Sequence, residues 1–157
     1  MLKRFVFFAL ALAFAGPSLA AEPGPLAIVK TKAKFEDVKD DVVSAVTKRG
    51  LVIDYTAYIG TMLDRTAKDV GAAKKIYARA EAVQFCSATL SRKMMEADPA
   101  NIVFCPYVIV IYSLAGDPGT VHVGYRRPQP GGTPATRAAL KEVDDLLAGI
   151  VKEAVKK

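Results

Sequence analysis

Two cysteines, Cys86 and Cys105, and one histidine, His122, are the side chains best suited to chemistry in this sequence. Paired thiols can form a structural disulfide, cycle between dithiol and disulfide, or ligate a soft metal ion. A bond between Cys86 and Cys105 closes the 20-residue loop 86–105, which in the chain-entropy view stabilises a fold by about 3 kcal/mol. The redox alternative draws on position. Cys86 stands at the start of a segment, 87–97, that reads as a helix, and a helix N-terminus favours thiolate. Against it, the sequence has no Cys-x-x-Cys pair and no second histidine, so the usual dithiol and cysteine–histidine arrangements lack parts.

Cys86, Cys105, Met94 and His122 together supply the ligand types that copper(I) prefers, which makes a soft-metal carrier a third reading. Neighbouring helical residues diverge by about 100°, so at most one of Met94 and Met95 readily faces such a site. Met94 also falls four residues after Leu90, a spacing that core packing explains. His122 alternates with Gly124 and suits a polar strand face as well as a ligand or proton-transfer role. A haem-attachment motif, a phosphate-cradling glycine loop and a Gly-x-Ser-x-Gly elbow are all missing. Asp40-Asp41 and Asp144-Asp145 lie beside lysines in amphipathic segments and need no acid–base role. The residues identify no catalytic group and imply no cofactor, so the balance leans away from an enzyme.

The elements that must position these side chains follow from periodicity. Leu26, Ile28, Val29 and Thr31 suggest a first strand, with Lys30, Lys32 and Lys34 on its wet face. Phe35, Val38, Val42 and Val46 predict a helix over 35–49, with Glu36 and Asp37 in the first turn, Lys48 and Arg49 in the last, and Gly50 beyond. A second strand is expected over 51–55. Residues 58–80 are helical in composition, with Thr61 as N-cap and Gly71 dividing them. A third strand is expected over 82–86 and a short helix over 87–97, ended by Asp98-Pro99.

Residues 107–114 are apolar throughout except Ser113 and predict a central strand buried on both faces. A hairpin connection over 115–119 leads to a strand over 120–126, with Val121, Val123 and Tyr125 opposing His122 and Gly124. Thr133 and Pro134 open a last helix whose stripe is Leu140, Val143, Leu147, Ile150 and Ala154. This order predicts a two-layer α+β domain over 26–157, with an antiparallel-rich sheet packed by helices.

Residues 1–20 have the three parts of a secretory signal peptide: Lys3-Arg4, an apolar stretch from Phe5 to Ala15, and small residues ending at Ala20. The apolar stretch is too short for a bilayer, so no stable membrane anchor is expected after cleavage. Residues 21–25, with two prolines and a glycine, read as a flexible tether. Export implies a periplasmic or secreted location, where thiols meet oxidants. Loss of Lys3 and Arg4 lowers the formal net charge from +6 to +4. That mild basicity outside the cytosol argues against nucleic acid as a partner.

The run Phe35-Glu36-Asp37-Val38, then Arg49-Gly50-Leu51, and Cys105-Pro106-Tyr107 opening an apolar strand resemble the bacterial proteins grouped as domain of unknown function 302. The block from Phe85 to Tyr107 looks like an exported, cysteine-containing branch of that group, and the resemblance spans most of 26–128. It implies a TATA-binding-protein-like fold in β-α-β-sheet-α order, often as a homodimer, and no activity or catalytic residue. The expectation is an exported, disulfide-stapled binding or accessory domain. It would act as a homo-oligomer, or with an envelope protein or small ligand as partner.

Overall fold

The computed structural model describes residues 24–156 apart from 73 and 130. The expected signal peptide, 1–20, and the first part of the expected tether, 21–23, lie outside the described residues. Five strands form one antiparallel sheet in the order β1-β5-β4-β3-β2. They are β1 (Leu26–Lys32), β2 (Val52–Ala57), β3 (Tyr77–Cys86), β4 (Tyr107–Leu114) and β5 (Asp117–Arg126). Helices α1 (Phe35–Thr47) and α4 (Pro134–Ala154) cover one face, and α3 (Ala88–Ala97) packs against α4. The expected two-layer α+β architecture is the one observed.

The core lies between that sheet face and the helices. Val83 and Phe85 of β3, Ile109 and Ile111 of β4, and Val121 and Val123 of β5 meet Val38, Val42 and Val46 of α1 and the α4 stripe. Thr133 caps α4 as expected, its hydroxyl accepting from the Thr136 amide at 3.2 Å. α1 ends at Thr47, short of the two basic residues. Arg49 still serves that helix end, because its guanidinium turns back to donate to the Ala45 carbonyl at 2.6 Å and pairs with Glu153 at 2.7 Å. Gly50 follows at φ +72°, where a side chain would be strained.

Several expectations are corrected. The helical stretch contracts to α2 (Ile59–Thr66), capped at Tyr58 and not Thr61, while 77–80 belong to β3. Ala78-Arg79-Ala80-Glu81 has helical composition, but pairing with β4 from Tyr77↔Leu114 to Phe85↔Tyr107 overrides it. β2 carries an irregularity between Ile53 and Tyr55, so Ile53 faces the core while Tyr55 pairs Gln84 on the other face. The turn after β4 is tighter than expected, with Pro118 and Gly119 already in β5.

β4 is central but covered on one side only. Tyr107, Ile109, Ile111 and Ser113 are buried, and Val108, Val110 and Tyr112 between them are half-exposed. In β1, Leu26 and Ile28 share that uncovered face with Lys30 and Lys32, since they pair Arg126, Gly124, His122 and Thr120. Among the described residues, no helix is long and apolar enough to cross a membrane.

Candidate functional site

Pairing of Phe85 with Tyr107 sets the C-terminal end of β3 beside the start of β4, which brings Cys86 and Cys105 together. Their sulfurs lie 3.4 Å apart. Between the two cysteines the chain runs through α3 and a short 3₁₀ helix, Pro99–Phe104. Ser87 caps α3, its hydroxyl accepting from the Leu90 amide at 3.4 Å. One turn later, the Ser91 hydroxyl lies 3.1 Å from the Cys105 sulfur and 3.3 Å from the Tyr107 hydroxyl. Asp98 caps the 3₁₀ helix through the Ala100 amide, and the Asn101 side-chain amide donates to the Met94 carbonyl at 2.8 Å. The loop joining the cysteines is therefore tied down by its own hydrogen bonds.

Burial pushes the Cys86 thiol up to about 11, and its contact with Cys105 pushes the same way. The helix N-terminus does not win here, because Ser87 and not Cys86 is the cap and desolvation disfavours the charged form. At neutral pH Cys86 is a thiol and not the thiolate that exchange chemistry needs. The pair is thus near enough to bond, with Cys86 poorly activated as a nucleophile.

The other soft-ligand candidates stand elsewhere. Met94 is wholly buried in the core. His122 lies on the uncovered sheet face, stacked on Tyr112 with ring centroids 4.6 Å apart, and its Nδ1 has no partner. Tyr112, its cross-strand neighbour, is five residues beyond Tyr107 along β4, roughly 17 Å at the usual strand rise. The cysteines and His122 therefore do not converge. Among the described residues, no cluster of three or more His, Cys, Asp or Glu could hold a metal ion.

An apolar cleft of about 340 Å³ opens at the same end of the sheet. Leu26 and Ile28 of β1, Val108 and Val110 of β4, and Val103 and Phe104 of the 3₁₀ helix contribute to its walls, and Arg126 is its one charged lining residue. Neither cysteine lines it. The adjacent Arg127 is committed, 3.3 Å from Asp144, which also accepts from the Tyr125 hydroxyl at 2.8 Å. Burial and that bond hold the Tyr125 phenol well above its ordinary range.

A separate charged cluster sits where α1 meets β3. Glu81, 3% exposed, is bound by Lys39 at 2.7 Å and Arg79 at 2.9 Å, and Arg79 also pairs with Glu36 at 2.6 Å. Burial alone would raise the Glu81 carboxyl, but the two cations outweigh it and hold the pKa below the usual value. The cluster anchors α1 on the sheet.

Ser91, Arg126 and Glu81 escape the sequence reading. Ser91 carries only a weak signal, one turn after the capping Ser87, and nothing local shows that Arg126 is free while Arg127 is paired. Glu81 could be suspected as a lone acid among Ala80, Ala82 and Val83.

A family model described as domain of unknown function DUF302 matches residues 27–156. The fold is similar to the crystal structure of an uncharacterized conserved protein DUF302 from Bacillus stearothermophilus, with a TM-score of 0.68 at 12% identity over 84% of this chain and 98% of that one. No curated protein matches the sequence.

Proposed function

The chain belongs to the DUF302 family, whose name assigns no activity, and from that premise we propose an exported binding domain, stapled by a Cys86–Cys105 disulfide and working as a homodimer. The observation that carries this reading is the 3.4 Å sulfur separation between two strand ends held in register. A disulfide needs about 2.05 Å, so the sulfurs stand a little over one ångström from bonding distance. Each thiol would lose a proton and an electron, and a disulfide-bearing oxidant of the compartment would take up both electrons and protons to become two thiols. The raised Cys86 thiol argues against rapid cycling at neutral pH.

The uncovered sheet face supports dimerisation. Antiparallel sheets with one solvated face normally alternate apolar with polar residues. Here Tyr112 and Leu114, toward the end of β4 away from the cysteines and outside the lining of the apolar cleft, face outward. Apolar side chains left outward on an open sheet face are the kind of surface that a second copy would cover.

The test is made on protein secreted through its own leader. Alkylation and mass spectrometry without reductant should find no free thiol, a mass lighter by two hydrogens than the reduced form, and an N-terminus at Ala21. Light scattering should give a dimer. Two alkylated thiols, a retained leader, or a strict monomer at high concentration would each overturn the corresponding part. Ready reduction by mild thiol buffers would replace the staple with the redox alternative.

A further inference from the structure

We propose that the apolar cleft beside the cysteine end of the sheet binds a single-chain amphiphile, an unbranched acyl chain whose carboxylate head pairs with Arg126. The assignment rests on the reading of this protein as a binding domain and adds to it the ligand class.

The first argument is the contrast between neighbouring arginines. Arg127 is neutralised by Asp144, whereas Arg126, among the described residues, has no side-chain hydrogen bond or ion pair. A free guanidinium beside water needs no partner, but this one borders a cleft whose other lining residues carry no charge. Its planar fork matches a carboxylate.

The second argument is the wall itself. Leu26 is 60% exposed and Val103 72% exposed, so large aliphatic side chains remain in water around a concave space. Exposed apolar surface in a concavity is stabilised by whatever removes it from water. A volume of about 340 Å³ falls at the small end of ligand sites, which suits one chain better than a ring system or a peptide. The walls come from rigid strands on one side and from the hydrogen-bonded 3₁₀ helix on the other, so the space persists without the ligand.

Electrostatics complete the fit. One cationic side chain among otherwise uncharged lining residues is the pattern that an amphiphile matches and a small anion does not. A membrane lipid shares the acyl-anion chemistry, and vesicles therefore form a separate arm of the test.

The experiment uses the secreted, full mature protein with decanoate, 1-decanol and acetate as probes, by calorimetry below the micelle concentration, and with vesicles of mixed phosphatidylcholine and phosphatidylglycerol. Decanoate should bind saturably, 1-decanol more weakly, and acetate and vesicles not at all. Arg126→Gln should weaken decanoate about tenfold, the loss of one charge-assisted contact, and leave 1-decanol unchanged. Val103→Asp, at an exposed position that folding does not depend on, should weaken both. Equal binding of decanoate by the wild type and Arg126→Gln, vesicle binding without decanoate binding, or a cleft closed to decanoate because a second copy covers it would overturn the proposal. An intact disulfide and dimer without decanoate binding removes this inference alone, whereas decanoate binding to a monomer with free thiols removes the staple and dimer and keeps it.

Discussion

On the helix-covered side of the sheet, Ile109 and Ile111 of β4 are completely buried, whereas Val108 and Val110 of the same strand, facing the other way, remain half-exposed. Both faces are aliphatic. What separates them is that α1 and α4 dock on one, whereas the other meets α2 beside β3 and the 3₁₀ helix at its cysteine end and is otherwise open. Where Glu81 falls on the covered side, Lys39 reaches down from α1 to meet its charge. On the uncovered side, Lys30, Lys32 and Arg126 stand beside aliphatic residues without a covering layer. A strand's residue types therefore do not say which of its faces carries the fold's stability; the presence of a second layer does.

The comparison breaks most sharply at β4. Ile109→Ala should cost about 2–5 kcal/mol in urea unfolding, the range for a large aliphatic removed from a packed core. Val110→Ala should cost under about 1 kcal/mol, because little burial is lost. Equal losses would mean that a second copy already covers the outer face in solution.

The cysteine pair stands at the end of the sheet between the two faces. Oxidised wild type should exceed Cys86→Ser by about 3 kcal/mol. Reductant should erase that difference by lowering the wild type and leaving the variant unchanged. A reductant-insensitive wild type would show that no bond forms.

Glu81 sharpens the contrast on the covered side. Glu81→Gln should cost about 1–3 kcal/mol at neutral pH, since Lys39 loses its charged partner. The folded Glu81 carboxyl lies below its ordinary value of 4.5, so its stabilisation is present above that value and is lost as pH falls through the lower folded one. Thermal unfolding of wild type and Glu81→Gln should therefore converge in acid and diverge above about pH 5. Parallel curves across that range would deny the carboxylate its role.

The smallest effect belongs to the outer rim. Lys30→Ala, on the uncovered face of an edge strand, should stay within about 0.5 kcal/mol of wild type. A larger loss would place a partner on that face.

Much of the scaffold is legible from local pattern. α1, α4 and the strands β4 and β5 announce themselves because their apolar residues recur at the helical or strand period and their ends carry capping residues such as Thr133 and the glycine at 50. β3 is the failure: Ala78 to Glu81 prefer helix locally and become strand because β4 lies beside them. Of the candidate site, the types Cys86 and Cys105 are readable and so is their closeness to strand ends. The Ser91 contact and the separation of His122 from the sulfurs are not, whereas the four-residue spacing from Leu90 already points Met94 to the core, where it lies.

What the sequence alone determined is what each stretch can do with its near neighbours: which segments coil, where they stop, and which two sulfurs are available. Only the tertiary structure decided which faces meet, because that depends on pairings such as Lys30 with His122 between residues far apart in the chain. No spacing within a segment encodes such a pairing. The sulfur contact, the freedom of Arg126 and the one-sided burial of β4 all arise from those distant contacts, which compete by packing and desolvation and not by local periodicity.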